Sequence, residues 1–216
     1  MGYGMKIILG DKSIDNANRI AEIMNNVGFD VVPVKMDLSS REDILNIIKT
    51  AHQYGEIKML DNSAGVSPSQ APIEAILNVD LYGTAVLLEE VGKVIADGGV
   101  GVTLSSQSGK RMAQLTAEQD EQLACTPTDK LLSLDLLQPK NIKDTLHAYQ
   151  LAKRCNEKRV MYESVKWGER GARINSISPV LLLHHLLLMN LMAQEVISTR
   201  ICLLTSLQVA PELLMK

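Results

Sequence analysis

Aromatic side chains are scarce: the chain of 216 residues has one Trp, one Phe and five Tyr. A surface that stacks nucleic-acid bases needs more than this. An excess of charge of one sign is also missing, with 22 Lys and Arg against 25 Asp and Glu and a pI near 5.8. Neither a nucleic-acid-binding patch nor a polybasic membrane segment is therefore expected. Cysteines are few, and Cys125, Cys155 and Cys202 lie far apart. An odd, dispersed set excludes a disulfide framework and a clustered metal site, and a reducing cytoplasm is the expected setting. The apolar run at the N-terminus is too short for a signal peptide. Val180 to Met189 is apolar except for His184 and His185, and falls short of the roughly 20 residues that span a bilayer. Adjacent histidines rarely face one ion and no third ligand accompanies these two, so no metal is expected.

What is present is an alternation. Lys6 to Leu9 reads as a short buried strand ending at Gly10 and Asp11. Helical periodicity follows from Ile14 to Val27, stopped by Gly28, and Val31 to Met36 reads as a second strand ending at Asp37. Ser39 or Ser40 offers an N-cap, with Glu42 and Asp43 in the first turn, for a helix through His52. Ile57 to Leu60 is a third strand, Pro72 to Ala96 a long amphipathic helix, and Val100 to Leu104 a fourth strand. Thr145 to Trp167 is another helix, and Ala172 to Ile177 a fifth strand. Strands alternating with helices and carrying few charges predict an α/β domain, a doubly wound parallel sheet of Rossmann type. The ligand crevice of such a sheet lies beyond the carboxyl ends of the strands. That rule selects Asp11, Asp37, the turn Asn62 to Gly65, and Ser105 with Ser106.

One helix carries a pair suited to proton transfer. Tyr149 and Lys153 stand four residues apart, on one face, where both can act on the same small molecule. An ammonium beside a phenol favours the phenolate, which makes such a tyrosine a candidate acid or base near neutral pH.

Five motifs in order give a specific resemblance: NSAG at 62–65, VDLYG at 79–83, LSSQSG at 104–109, YQLAK at 149–153 and RINSISP at 173–179. Together they resemble the short-chain dehydrogenase/reductase family over residues 3–179. The resemblance implies hydride transfer between NAD(P) and an alcohol or carbonyl substrate. It assigns Tyr149 as general acid/base, Lys153 as the cation that lowers its pKa and holds the nicotinamide ribose, and Ser106 as hydrogen-bond partner of the substrate oxygen. Ser106 is chosen over Ser105 by register with the family pattern. Asp11 matches the acid that binds the adenosine ribose hydroxyls and would repel a 2′-phosphate, so NAD is favoured over NADP. Asp37 and Leu38 match positions that contact adenine, and Asn62, Ala64 and Gly65 match the turn beside the cofactor. A homodimer or homotetramer is implied by the same resemblance.

The departures are as informative. Asp80 stands where the family usually has Asn, and Asn78 lies on a different helical face. The interval from Ser106 to Tyr149 is far longer than usual, and residues 108–141 are read as a substrate-facing insertion. The first strand of the family and its glycine-rich turn, which brings a helix N-terminus to the pyrophosphate, have no counterpart, so the expected sheet is incomplete. Beyond Pro179 the family motifs stop. Read one base earlier, Val180 to Leu186 is compatible with Gly-Ile-Ile-Ile-Thr-Pro-Leu and Val209 to Glu212 with Gly-Arg-Pro-Gly, both family segments. Residues 1–179 are thus expected to form a partial Rossmann domain, and 180–216 a tail out of frame with it. The competing reading is a non-catalytic remnant of the family that binds no cofactor.

Overall fold

The computed structural model describes residues 4–179 and 201–206. The remainder of the tail, including His184, His185 and the segments that match the family in a shifted frame, lies outside the described residues.

Five parallel strands follow the predicted order: β1 (Met5–Asp11), β2 (Asp30–Lys35), β3 (Ile57–Asn62), β4 (Val100–Leu104) and β5 (Arg173–Ile177). Between them run α1 (Ile14–Asn26) and α2 (Arg41–His52). Ser13 and Ser40 cap these two helices, each side chain accepting from the backbone N–H three residues on. The next helix is continuous but changes pitch, from α3 (Ile73–Ile76) through a π-helical stretch, Leu77–Gly83, into α4 (Thr84–Gly92). Stretches of this wide pitch are rare and concentrate at functional sites.

The sheet has six strands in the order β2-β1-β6-β3-β4-β5, where β6 (Ile201–Ser206) comes from the tail. Taken alone, the five predicted strands make two separate parallel blocks, β2 with β1 and β3 with β4 and β5. The place between the blocks is the one that the resemblance assigns to the family's first strand. Strand β6 fills it and runs antiparallel to both neighbours, Leu203 pairing with Ile8 on one side and Leu60 on the other. An apolar hexapeptide in that gap satisfies the facing backbone groups of β1 and β3, which would otherwise be costly to bury.

Helices cover both faces. Ile7, Leu9 and Val31 pack with Ala21 of α1, while Ile8, Leu60 and Leu203 point to the other face, onto Ile44, Ile47 and Ile48 of α2 and Val86 to Leu88 of α4. The insertion is helical: α5 (Ser108–Arg111), α6 (Ala117–Cys125) and α7 (Thr128–Leu131), then two 3₁₀ turns, Asp135–Leu137 and Pro139–Asn141. It builds a second apolar core, in which Leu123, Leu131, Leu137 and Ile142 meet Leu77 and Leu81 and the Ala148, Leu151 and Cys155 face of α8 (Thr145–Glu169).

Candidate active site

Two elements, the end of β4 and α8, bring the predicted catalytic residues to one end of the sheet. Ser105 and Ser106 follow β4 directly, and alternation sends them to opposite sides. The Ser105 side chain is buried and its hydroxyl donates to the backbone carbonyl of Lys153 at 2.7 Å. Ser106 is only half-buried, and its hydroxyl accepts the Ser108 N–H at 3.1 Å. Gly109, one turn on, lies so close to α8 that a Cβ there would sit 2.7 Å from the Arg154 backbone nitrogen. The Ser105 hydrogen bond and this close approach clamp the Ser106 loop against the turn of α8 that carries Lys153. The length of the insertion therefore does not separate Ser106 from the helix, because its first turn already packs there.

On α8, the Lys153 ammonium lies 5.3 Å from the centre of the Tyr149 ring, within the range of a cation–π contact. It donates to the Leu104 carbonyl at 3.3 Å and stands 4.0 Å from Asp80 Oδ1. Lys153 is 5 % exposed and Asp80 fully buried. Asp80 comes from the π-helical stretch, and its Oδ1 also accepts the Val66 N–H at 2.8 Å. Burial pushes its carboxyl up to about 6, against the opposing pull of Lys153 and the Val66 hydrogen bond. Oδ2 has no hydrogen-bond partner among the described residues. The only sequence signal for Asp80 is an acid where the family usually has Asn; its burial is tertiary and leaves no local mark.

The turn after β3 is small because it is crowded. Asn62 is buried, its amide donating to Thr103 Oγ1 at 3.0 Å while its carbonyl accepts from Ala64 N at 3.3 Å. A Cβ on Gly65 would overlap Asp80 Oδ1 and lie 3.3 Å from Lys153 Nζ. Glycine here is what lets the carboxylate and the ammonium approach each other. Asn78 turns its amide to the Glu74 carbonyl on its own helix and takes no part.

The predicted adenosine-side residues stand at the ends of β1 and β2. Asp11 is 1 % exposed, its carboxylate accepting from Ser13 N at 2.8 Å and Asn16 Nδ2 at 2.7 Å. Asp37 Oδ2 pairs with Lys12 Nζ at 2.8 Å and Oδ1 accepts from Ser39. Partial burial raises the Asp37 carboxyl, and the hydrogen bonds from Lys12 and Ser39 overcome this and hold it below the usual carboxylate range. Leu38 is buried, its carbonyl where a Cβ on Gly83 would fall. A cavity of about 310 Å³ opens here, lined by Lys12, Ser39, Pro72, Glu74, Asn78 and Val79. One end of the crevice thus holds this cavity and the other the Tyr149, Lys153 and Ser106 set. The middle differs from the usual arrangement. Because β6 is antiparallel, its first residue, Ile201, lies at the crevice beside Gly10 and Asn62. Among the described residues no helix N-terminus follows the central strand there. No group of three or more potential metal ligands occurs among the described residues, and none of their helices is long and apolar enough to cross a membrane.

These features define a Rossmann-type α/β protein with a tyrosine–lysine pair beyond its strand ends. Residues 2–119 match the family model described as enoyl-(acyl carrier protein) reductase. A short-chain dehydrogenase/reductase, bsc3, of Alternaria brassicicola is 36 % identical over 180 residues, 83 % of this chain and 65 % of that protein. Among solved structures, a 3-alpha-hydroxysteroid dehydrogenase from Pseudomonas complexed with NADH aligns with a TM-score of 0.59 at 20 % identity, over 80 % of this chain and 70 % of the other. A short-chain dehydrogenase from Burkholderia cenocepacia in complex with NADP aligns at 0.57 and 18 %, over 80 % and 62 %. The chain belongs to the short-chain dehydrogenase/reductase family. It spans a little under two thirds of the length of the Alternaria relative.

Proposed function

We propose that the protein is an NAD-dependent oxidoreductase that interconverts an alcohol and a carbonyl compound, with Tyr149, Lys153 and Ser106 as its catalytic residues. The observation that carries this reading is the Lys153 ammonium 5.3 Å from the Tyr149 ring, fixed by the end of β4 through Leu104 and Ser105. When bound, the nicotinamide supplies or accepts a hydride at the substrate carbon. In reduction, Tyr149 gives its phenolic proton to the substrate oxygen; in oxidation it takes the proton back. Lys153 stabilises the phenolate left behind, and the Ser106 hydroxyl donates to the oxygen on which charge develops.

NAD is favoured over NADP by the carboxylate of Asp11 and by the pairing of Lys12 with Asp37, which occupies the cation next to these two acids. Residues 1–179 form the catalytic unit, with the tail contributing its strand to the sheet; the coding DNA around codon 180 tests whether the tail is out of frame. A homodimer or homotetramer acting on a small molecule completes the proposal. Titration with NADH, followed by nicotinamide fluorescence and by melting temperature, tests it. A rise in melting temperature that Lys153→Met weakens is the expected result, and no shift at millimolar cofactor overturns the reading.

A further inference from the structure

We propose that Asp80 is the counter-charge of Lys153 and, acting through that ammonium, tunes the readiness of Tyr149 to give up its proton. Asp80 is thus a positioning residue, and its bearing on catalysis rests on the reading of Tyr149 as the proton donor.

Three observations meet at this carboxylate. It is fully buried, with Oδ1 4.0 Å from Lys153 Nζ and Oδ2 unpartnered among the described residues. The space for the pair is kept open by Gly65, where any side chain would displace one of the two charges. And the helix that delivers Asp80 widens to π pitch over Leu77–Gly83. A buried acid with one oxygen unsatisfied is costly to keep, and Lys153 is the charge that acts on it.

The surroundings leave little else to act on the pair. From α8 the facing groups are Lys153 and, one turn earlier, Tyr149. The turn 63–72 contributes no titratable side chain. Glu74 of α3 is exposed, and Tyr82 lies in the π-helical stretch itself. On α4, Glu89 and Glu90 are held by Arg41 and Lys93.

The consequence follows from charge alone. With Asp80 ionised, the pair is close to neutral. When Asp80 takes up a proton, Lys153 acts uncompensated and the phenolate is favoured. One buried site therefore couples two protonation events, so the pH dependence of the reaction carries the Asp80 titration as well as that of Tyr149.

Near-ultraviolet absorbance of tyrosinate, recorded against pH for the protein and for Tyr149→Phe, isolates the Tyr149 signal without cofactor or substrate. In Asp80→Asn that signal is expected to move to lower pH by about one unit, the effect of removing one nearby charge in a partly buried site. On a Lys153→Met background, where the buried Asp80 carboxyl has lost its counter-charge and keeps its proton to higher pH, the same substitution is expected to move it less. An unchanged signal in Asp80→Asn, or an equal shift with and without Lys153, overturns the proposal. Should Asp80→Asn fail to fold, carbon-13 NMR of the Asp80 carboxyl carries the test from the other side. Its titration is expected to move to higher pH in Lys153→Met, and no movement overturns the coupling. These readouts need no bound nicotinamide, so a failure of the oxidoreductase reading is seen separately, as absent NADH binding.

Discussion

Leu203 of β6 stands opposite Leu60 of β3, and both side chains are completely buried. A residue of the tail thus sits at the centre of the core. Strand β6 is the only connection, among the described residues, between the β2-β1 block and the β3-β4-β5 block of the sheet. Leu203→Asp would place a carboxylate between α2 and the middle of the sheet. The expected outcome is a loss of at least about 3 kcal/mol, from burying an unpaired charge and losing apolar contact, which suffices to unfold a marginal domain. Urea titration followed by circular dichroism measures it; a variant as stable as the parent would show that β6 does not join the sheet in solution.

The adjacent serines should separate cleanly. Ser105→Ala removes a buried hydrogen bond and leaves the Lys153 carbonyl without that donor, a cost of about 1–2 kcal/mol in stability. Ser106→Ala touches only the Ser108 N–H on the protein side and should leave the melting temperature within a degree or two of the parent. With any alcohol that the enzyme oxidises, Ser106→Ala should instead lower kcat by roughly 100-fold, the usual effect of deleting one donor to a developing oxyanion. Equal effects of both substitutions on stability and turnover would remove the distinction.

Asp80 also makes a prediction about stability. Its carboxyl is held up at about 6, above the ordinary 3.8. The folded protein therefore binds this proton more tightly than the unfolded chain, and stability falls as pH rises from 3.8 through about 6. The full loss, on the order of 3 kcal/mol, persists at neutral pH. In Asp80→Asn this part of the decline should be missing. The comparison is one of slopes, because the variant also deprives Lys153 of its partner. Denaturation midpoints on either side of pH 6 for both proteins measure it, and parallel pH dependences would sink the idea.

The contrast between what could and could not be read is itself physical. The five parallel strands, α1, α2 and α8 were legible because their signals are local: apolar runs stopped at Gly10, Gly28 and Asn62, serine caps at Ser13 and Ser40, and the Tyr149 and Lys153 spacing. The role of Ile201–Ser206 was not, since ICLLTS is simply apolar and its direction and partners are set by a gap elsewhere in the sheet. The insertion hid for a related reason. Its helices span few residues, and their burial depends on meeting Leu151 and Cys155 of α8, distant in sequence. For Asp80 the residue type was visible, but the closeness of Lys153, permitted by Gly65, exists only in three dimensions.

Cofactor choice turns on Lys12. Its ammonium is exposed at the rim of the cavity by β1 and β2, and it is bound to Asp37 at 2.8 Å. An exposed ion pair contributes little to stability, but it fixes where the charge points. With Asp37 present, a 2′-phosphate would have to compete for Lys12 while facing the acids Asp11 and Asp37. NADH should therefore raise the melting temperature more than NADPH, consistent with about a tenfold difference in affinity, or roughly 1.4 kcal/mol. Asp37→Ala frees Lys12 and removes one of the two acids, so NADPH should gain on NADH and the difference should close. Lys12→Ala in the same background should restore the preference for NADH, because the cation that received the phosphate is gone. Isothermal titration of the three proteins with both dinucleotides measures these changes. A preference unaltered by Asp37→Ala would place the discrimination with Asp11 alone, whose carboxylate is held by Ser13 and Asn16 and does not depend on the pair.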